Sequence, residues 1–524
     1  MKAVFRVDAS IEIGSGHVMR CLSLANVLKN NSFMVEFICR NHDGNLINRI
    51  VEDGFRVHEI ELAAENKTDD KLEHSAWLGT SQKQDADDTI KVIKNDFVDW
   101  IVVDSYSLDE DWHKSVKPYC KKLMVIDDLA DRKYHCDILI DQTFGRENKD
   151  YFDRIPSYCQ ALLGSKYALL RPEFFDLREK SLAKRNHHEL QHLLINMGGI
   201  DAANITEKIL DHLKTCKLDK ELKITVVMGE NAPHLELVRE KAKELKQKTN
   251  VLVNVKNMAQ IMTSADIAIG ASGSASWERC CLGLPTIQIA ISKNQEYLSF
   301  NLASKNIIKL INDINEISHL LENSKKWMNE VRSLSAEICD GLGTSRVFNK
   351  MTDETLLIRG FDEIELCNYT NLDQKNINLA LEMRNHKDIR SWMYNQNHIS
   401  IEEHLSFIEM LQTETKTRYF LVKQSGLVIG AINFLKIQYG NSVDFGIYKN
   451  PFLKSKGLGK IIEAAASEYA FTELAVRNIN LEVIAANIKA INFYKRCGFE
   501  TINKSIINNQ KIICMSKENN SIVI

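Results

Sequence analysis

Twelve cysteines are scattered along the chain with no C-x-x-C pair, and the adjacent Cys280 and Cys281 lack the spacing that sets two thiolates around one metal. Reduced core thiols and no metal site are expected. Charge of one sign is lacking too: 67 Lys and Arg stand against 70 Asp and Glu, a formal net charge of −3, with no dense basic block. Nothing global recruits nucleic acid or an anionic membrane, and a small partner is expected. No stretch approaches the roughly 18–20 apolar residues of a membrane span. The opening residues interrupt their apolar run with Arg6 and Asp8, where a signal peptide needs about 7–15 unbroken apolar residues. A cytoplasmic location is expected. Internal repeats and low-complexity tracts are absent, and with only 6 prolines the linkers must be read from polarity and glycine.

What is present is ordinary globular composition, 44% hydrophobic and 26% charged, over 524 residues, enough for about three domains. Short apolar runs at 3–7, 34–39, 100–103, 123–126 and 138–140 alternate with amphipathic stretches, the rhythm of a parallel sheet covered by helices. The chain turns polar around 181–191, and a second such series follows at 192–197, 224–228, 251–255, 267–269 and 286–290. After Asp340-Gly341-Leu342-Gly343 the texture changes to longer helical patterns and then strands at 419–423, 428–437, 443–448 and 479–484. The expected architecture is α/β: two tandem Rossmann-like domains, 1–180 and 181–350, followed by an α+β module at 356–520.

The first strand runs into Ile13-Gly14-Ser15-Gly16-His17, and Val18, Leu22, Ala25 and Leu28 then mark one helical face. Gly14 and Gly16 thus open a helix whose free amides and positive dipole end can face an anion. Met19 stands where a dinucleotide fingerprint needs its third glycine, and no Gly-Lys-Ser/Thr is present, so neither NAD nor ATP is expected. A plain tight turn fits this Gly-x-Gly equally well. His17 lies at the helix mouth, where an imidazole can take a proton from water; a capping or surface histidine stays open. In the second domain, Asn196-Met197-Gly198-Gly199 ends a strand with glycines, and Gly273-Ser274-Ala275-Ser276-Trp277-Glu278 joins a small-residue turn to a helix start. Glu278 could accept both hydroxyls of a ribose, and Asn294-Gln295 could reach a sugar. Each piece could be a cap or turn, but two glycine mouths on tandem domains suggest a ligand in the cleft between them.

The first 345 residues resemble the UDP-2,4-diacetamido-2,4,6-trideoxy-β-L-altropyranose hydrolases of pseudaminic acid biosynthesis, relatives of the GT-B glycosyltransferases. Carrying the resemblance are Arg6-Val7-Asp8-Ala9-Ser10 with 13–21, Trp77-Leu78-Gly79 before Gln84-Asp85-Ala86, Val103-Asp104-Ser105-Tyr106, Asp127-Asp128-Leu129-Ala130, 197–201, 273–278 and Lys293-Asn294-Gln295. It implies metal-independent attack of water on the anomeric carbon with inversion. His17 would be the base, Asn294 and Tyr106 would position water or substrate, and Glu278 would hold the ribose. The Asp85-Ala86-Asp87 match to a metal-binding Asp-x-Asp is read instead as a solvated helix start.

In the last domain a strand leads to Lys454-Ser455-Lys456-Gly457-Leu458-Gly459-Lys460, whose amides and lysines suit the pyrophosphate of coenzyme A. Later come Asn487 and Phe493-Tyr494…Gly498-Phe499. The domain resembles the GNAT acetyltransferases, with Lys454 at a position where Gln or Arg is commoner. More narrowly, 383–385, 389–395 and 404–408 resemble the acetyltransferases that modify the 4-amino group of UDP-linked altrosamine in the same pathway. Tyr494 fits the acid for a departing thiolate, a half-buried core tyrosine being the plain alternative. Strand alternation puts Glu482 on the face opposite Leu481 and Val483, where it could take the amine proton. His404 is a candidate through the resemblance only; a helix-surface histidine fits equally.

A bifunctional enzyme is therefore expected, acetylating UDP-4-amino-4,6-dideoxy-N-acetyl-β-L-altrosamine with acetyl-CoA and hydrolysing the diacetamido product. A GT-B glycosyltransferase with a sugar or lipid acceptor, fused to a GNAT of other specificity, and a non-catalytic nucleotide-sugar sensor are the alternatives. The oligomeric state is open.

Overall fold

The computed structural model describes residues 1–62, 72–185, 189–352, 354–356, 364–411, 414, 416–507 and 510–519. They divide into two compact units, Met1–Thr344 and Ser345–Ile524.

The first unit holds two parallel sheets. Strands β1 (Lys2–Val7), β2 (Met34–Arg40), β3 (Arg56–Ile60), β4 (Val98–Asp104), β5 (Cys120–Asp127), β6 (Ile138–Asp141) and β7 (Gln160–Leu163) lie in the order β3-β2-β1-β4-β5-β6-β7. Strands β8 (His192–Asn196), β9 (Lys223–Met228), β10 (Thr249–Val253), β11 (Ile267–Ala271), β12 (Thr286–Ile289) and β13 (Lys309–Ile311) lie in the order β10-β9-β8-β11-β12-β13. The Val- and Ile-rich centres of β4, β5 and β6 are buried, as strands covered on both faces require. In each sheet the strand order reverses once, between β1 and β4 and between β8 and β11. Crevices for ligands open at such points, beyond the carboxyl ends of the strands. The polar stretch at 181–191 is entered by a helix, Pro172–Lys184. Ser181 is fully buried there, and Arg185 beyond it donates to the carbonyls of Met262, Ala265 and Leu282.

One expectation fails in this unit. Asp85 does sit in the first turn of a helix, Gln82–Ile93, but it is fully buried, not solvated. Its carboxylate accepts from Arg6 Nε at 3.0 Å and Nη2 at 2.6 Å, Arg40 Nη2 at 2.7 Å and Trp112 Nε1 at 3.0 Å. Two guanidinium groups offset its burial and hold its pKa below the ordinary carboxylate value.

The second unit is built on one mixed sheet: β14 (Glu354–Leu356), β15 (Ile364–Asn368), β16 (Arg418–Gln424), β17 (Leu427–Gln438), β18 (Ser442–Lys449), β19 (Asn478–Ile484), β20 (Glu500–Ile507) and β21 (Gln510–Glu518), ordered β14-β15-β16-β17-β18-β19-β21-β20. All neighbours are antiparallel except β18 and β19, which pair in parallel over Ser442–Asp444 and Asn478–Asn480 alone. Past that point each strand keeps only its outer partner. The helix Leu458–Thr472 packs on this sheet, with Tyr469 stacked on Phe434 at 5.3 Å. Two Rossmann-like parallel sheets followed by a GNAT-like mixed sheet thus make an α/β chain, as the sequence suggests.

Candidate functional site

The turn after β1 is closed locally. Ser10 Oγ accepts from the amides of Glu12 and Ile13, and Gly14 N donates to Ser10 O at 2.9 Å. The helix Gly16–Asn30 then begins with no side-chain cap from Ser15, so its first amides keep no intrahelical acceptor. His17 is the second residue, placed at the point where the strand order reverses. Its Nδ1 lies 2.6 Å from Asp104 Oδ1 at the end of β4. Arg20, one turn along, donates to both Asp104 oxygens, Nε to Oδ2 at 2.6 Å and Nη2 to Oδ1 at 2.8 Å. The guanidinium and the imidazole hold the buried Asp104 far below the usual carboxylate range. An ionised carboxylate only accepts, so the His17 proton sits on Nδ1 and Nε2 keeps its lone pair. Among the described residues no group bonds that nitrogen.

Arg20 Nη1 also binds Asp128, which in turn accepts from Tyr106 Oη at 2.7 Å. The Tyr106 ring stands edge-on to the imidazole at 4.6 Å. Tyr106 is buried and its hydroxyl is already engaged, so it braces the histidine; burial and Asp128 push its pKa well up. Of this network the sequence singles out His17 and Tyr106 and gives Asp104, Arg20 and Asp128 no role. The available signal was the recurrence of Asp at strand ends, in Val103-Asp104, Ile126-Asp127 and Ile140-Asp141.

The two glycine mouths meet across the unit. A Cβ on Gly16 would lie 3.5 Å from Ser274 Oγ, and one on Gly199 would lie 3.0 Å from Ser15 Oγ. Ser274 starts the helix Ser274–Cys281, again without a side-chain cap. Two helix N-termini therefore face one space, each with unpaired amides and a positive dipole end. Gly198, at φ +94°, has open space where a side chain would stand. Glu278 lies one turn into its helix, 3.8 Å from Arg171 Nη2, and burial raises its pKa. Asn294 sits in the Lys293–Gln295 turn, its Oδ1 accepting from Ser292 at 2.5 Å and its amide nitrogen bonded to no described residue. Gln295 Oε1 accepts from Ile291 N at 3.1 Å.

In the second unit the loop after β18 exposes Lys454 and turns through Gly457, φ +87°, into the helix Leu458–Thr472 with no side-chain cap. No atom lies within 4 Å of a Cβ built on Gly457. Gly459 and the exposed Lys460 form the first turn. Asn487 caps the helix Ile488–Arg496 through Ala490 N at 3.1 Å, so its oxygen is spent on the fold. Tyr494, on that helix, is buried among Phe445, Phe493 and Phe499, and its hydroxyl has no hydrogen-bond partner among the described residues. Burial raises that hydroxyl well above ordinary tyrosine, which makes it a donor to a developing anion and a poor free acid. Glu482 is exposed on β19 while Leu481 and Val483 are buried, and Tyr394 donates to it at 2.5 Å. His404 is not a surface residue of its helix, Ile401–Leu411: it is buried, edge-on to Tyr369 at 6.2 Å, with Nε2 bonded to no described residue and its pKa lowered by burial.

Among the described residues no group of His, Cys, Asp or Glu is arranged to hold a metal, and no helix is long and apolar enough to cross a membrane. All 12 cysteines are free and half are buried.

Residues 192–337 match the glycosyltransferase family 28 C-terminal domain, and residues 386–499 match the acetyltransferase (GNAT) family. A UDP-2,4-diacetamido-2,4,6-trideoxy-beta-L-altropyranose hydrolase of Campylobacter jejuni is 27% identical over 306 residues, 58% of this chain and 97% of the relative. The acetyltransferase PseH of Campylobacter jejuni is 38% identical over 136 residues, 26% of this chain and 84% of the relative. The crystal structure of that species' N-acetyltransferase PseH in complex with acetyl coenzyme A covers 30% of this chain and 99% of its own at 30% identity, TM-score 0.25. Through its second unit, the chain belongs to the GNAT acetyltransferase family.

Proposed function

We propose that the chain is a bifunctional enzyme of pseudaminic acid biosynthesis. Its second unit, with a domain at 356–520, transfers acetyl from acetyl-CoA to the 4-amino group of UDP-4-amino-4,6-dideoxy-N-acetyl-β-L-altrosamine. The lobes at 1–180 and 181–350 hydrolyse the diacetamido product to UDP and free sugar. The observation that carries this reading is the 2.6 Å contact of His17 Nδ1 with an ionised Asp104, which leaves Nε2 basic beside two uncapped helix ends. The hydrolase relative is matched over 97% of its own length and the acetyltransferase relative over 84%.

In the hydrolytic step, His17 Nε2 takes a proton from water as the oxygen bonds to the anomeric carbon, and the bond from that carbon to the diphosphate breaks. Asp104 stabilises the imidazolium without taking its proton. The amides at Gly16 and Ser274 receive the charge that grows on the departing UDP, so no separate acid is required. Asn294 orients water or sugar, Glu278 holds the ribose, and Gly14, Gly198, Gly199 and Gln295 line the nucleotide path. Inversion follows from a single displacement.

In acetyl transfer, the amine nitrogen attacks the thioester carbonyl, Glu482 takes the amine proton, and the carbon–sulfur bond breaks as Tyr494 donates to the sulfur. Lys454, Gly457, Gly459 and Lys460 hold the pyrophosphate of CoA; Asn487 supports them through its cap, and His404 contributes from within the packed helix layer. Free buried thiols suit a cytoplasmic setting.

The match of 192–337 to a glycosyltransferase domain favours one second reading, transfer of the sugar to an acceptor. Purified protein given the amino sugar nucleotide and acetyl-CoA, with no acceptor, is expected to release CoA and then UDP. His17→Ala keeps the first release and loses the second by about 10²–10⁴-fold, the usual worth of a general base. UDP release that requires an added acceptor would favour the transferase.

A further inference from the structure

Beside the base lies a group of rings that the reaction scheme leaves unused. His74 and Trp77 face each other at 4.3 Å; His74 lies 5.6 Å and Trp77 6.0 Å from the Tyr106 ring, which itself touches His17 at 4.6 Å. Tyr106 is buried, while His74 and Trp77 are half-exposed. A half-exposed tryptophan tilted 34° against a half-exposed histidine leaves aromatic surface open to a ligand.

The segment that bears them is built to stay in place. Ser75 Oγ donates to Leu72 O at 2.7 Å and accepts from Leu72 N at 3.0 Å, and Ser107 Oγ donates to His74 O at 2.6 Å. The short Ser75–Leu78 helical turn ends at Gly79, φ +68°, where a Cβ would lie 2.9 Å from Leu62 Cδ2 and 3.0 Å from His42 Cε1. Glu73 reaches Lys293 at 3.0 Å, the residue before Asn294. One short stretch thus touches the brace of His17 at one end and the Asn294 turn at the other, so it borders the space where a sugar must sit. Burial lowers the pKa of His74 from its ordinary value, against the opposing pull of Glu73 and Asp131.

We infer that His74 and Trp77 form the sugar-facing wall of the hydrolytic site and select nucleotide sugars that carry apolar substituents, acetamido methyl groups and a deoxygenated C6, over fully hydroxylated ones. The inference rests on the hydrolase reading. The chemistry is general: ligand sites combine aromatic walls with a few polar groups that fix orientation, and a missing hydrophobic contact of methyl size changes binding about 10- to 200-fold. A hydroxyl in place of a methyl leaves its hydrogen bonds unmade against the indole face.

The test is calorimetry on the non-hydrolysing His17→Ala background with three probes: UDP, UDP-glucose and the UDP-2,4-diacetamido-2,4,6-trideoxy sugar. Trp77→Ala is expected to weaken the diacetamido sugar nucleotide by about 10-fold or more and UDP by less than 2-fold, erasing most of the preference over UDP-glucose. Trp77→Phe should restore much of it. With His17 intact, Trp77→Ala raises KM by that factor and leaves kcat within a few-fold. Equal losses for UDP and the sugar nucleotide, or no loss for either, would overturn the wall. Failure of the hydrolase reading looks different: wild-type protein that releases no UDP from the diacetamido sugar nucleotide.

Discussion

The two units hold their reactive groups in opposite ways. Around His17 the positioning is ionic: the buried Asp104 and Arg20 and the half-buried Asp128 form a chain of charge-assisted hydrogen bonds, ending on the hydroxyl of Tyr106. Around Tyr494 it is apolar: three phenylalanine rings hold the side chain, and its hydroxyl bonds to no described residue. The difference follows the chemistry. A base must be fixed in one tautomer, which a carboxylate does; a donor to a thiolate needs only to stay protonated, which burial does. Polar positioning carries a larger penalty when a single member is lost, because what remains is an unpaired charge.

The sharpest break of this contrast is Asp104→Ala. It leaves the buried Arg20 with half its partners and frees the imidazole, so the first unit should lose about 3–5 kcal/mol in urea unfolding and nearly all UDP release. CoA release by the second unit should be unchanged. A loss below about 1 kcal/mol would show that the network is decoration.

A pH test comes next. His113 in the first unit is buried, and burial with nearby Arg132 lowers its pKa from 6.5 to about 3. Between those values the unfolded chain binds a proton that the folded one does not. The contribution is complete above pH 6.5 and is lost as pH falls, at about 1.4 kcal/mol per unit. His113→Met removes it. The stability difference should therefore shift by about 2 kcal/mol in the variant's favour from pH 6.5 to 5, read from urea midpoints, and a pH-independent difference would contradict the assignment.

The smallest effect compares the two tyrosines directly. Tyr106→Phe deprives Asp128 of a donor and should cost about 1–1.5 kcal/mol. Tyr494→Phe removes a hydroxyl without a partner and should change stability by less than about 0.5 kcal/mol, while slowing acetyl transfer about 10²-fold or more. Equal stability costs would dissolve the comparison.

Much of this was legible in the chain. Strands that are buried on both faces read clearly, and so did both glycine mouths, whose turns are local. The strands β3, β7 and β13 did not: Arg-Val-His-Glu-Ile buries only Ile60, and the other two span four and three residues. Asp85 read as solvated because its first-turn position is typical of an exposed acid; the two arginines that bury it lie 79 and 45 residues away. For His404 the sequence leaves a site residue and a helix-surface residue equally open, because what covers it is tertiary. Asp104 stands in the Val103-Asp104-Ser105-Tyr106 segment with no task legible there, since its pairing with His17 spans 87 residues and no local pattern announces it. Sequence singled out the groups proposed to do chemistry; the groups that hold them emerge from the fold.

The central claim is that a histidine held by Asp104 lets water displace UDP from a sugar in one step. Proton NMR of wild-type protein with the UDP-diacetamido sugar, recorded from the first minutes, tests it directly. The account predicts free sugar appearing with the anomeric configuration opposite to that of the substrate, and none formed by His17→Ala. Retention of configuration, or undiminished release by that variant, would contradict it.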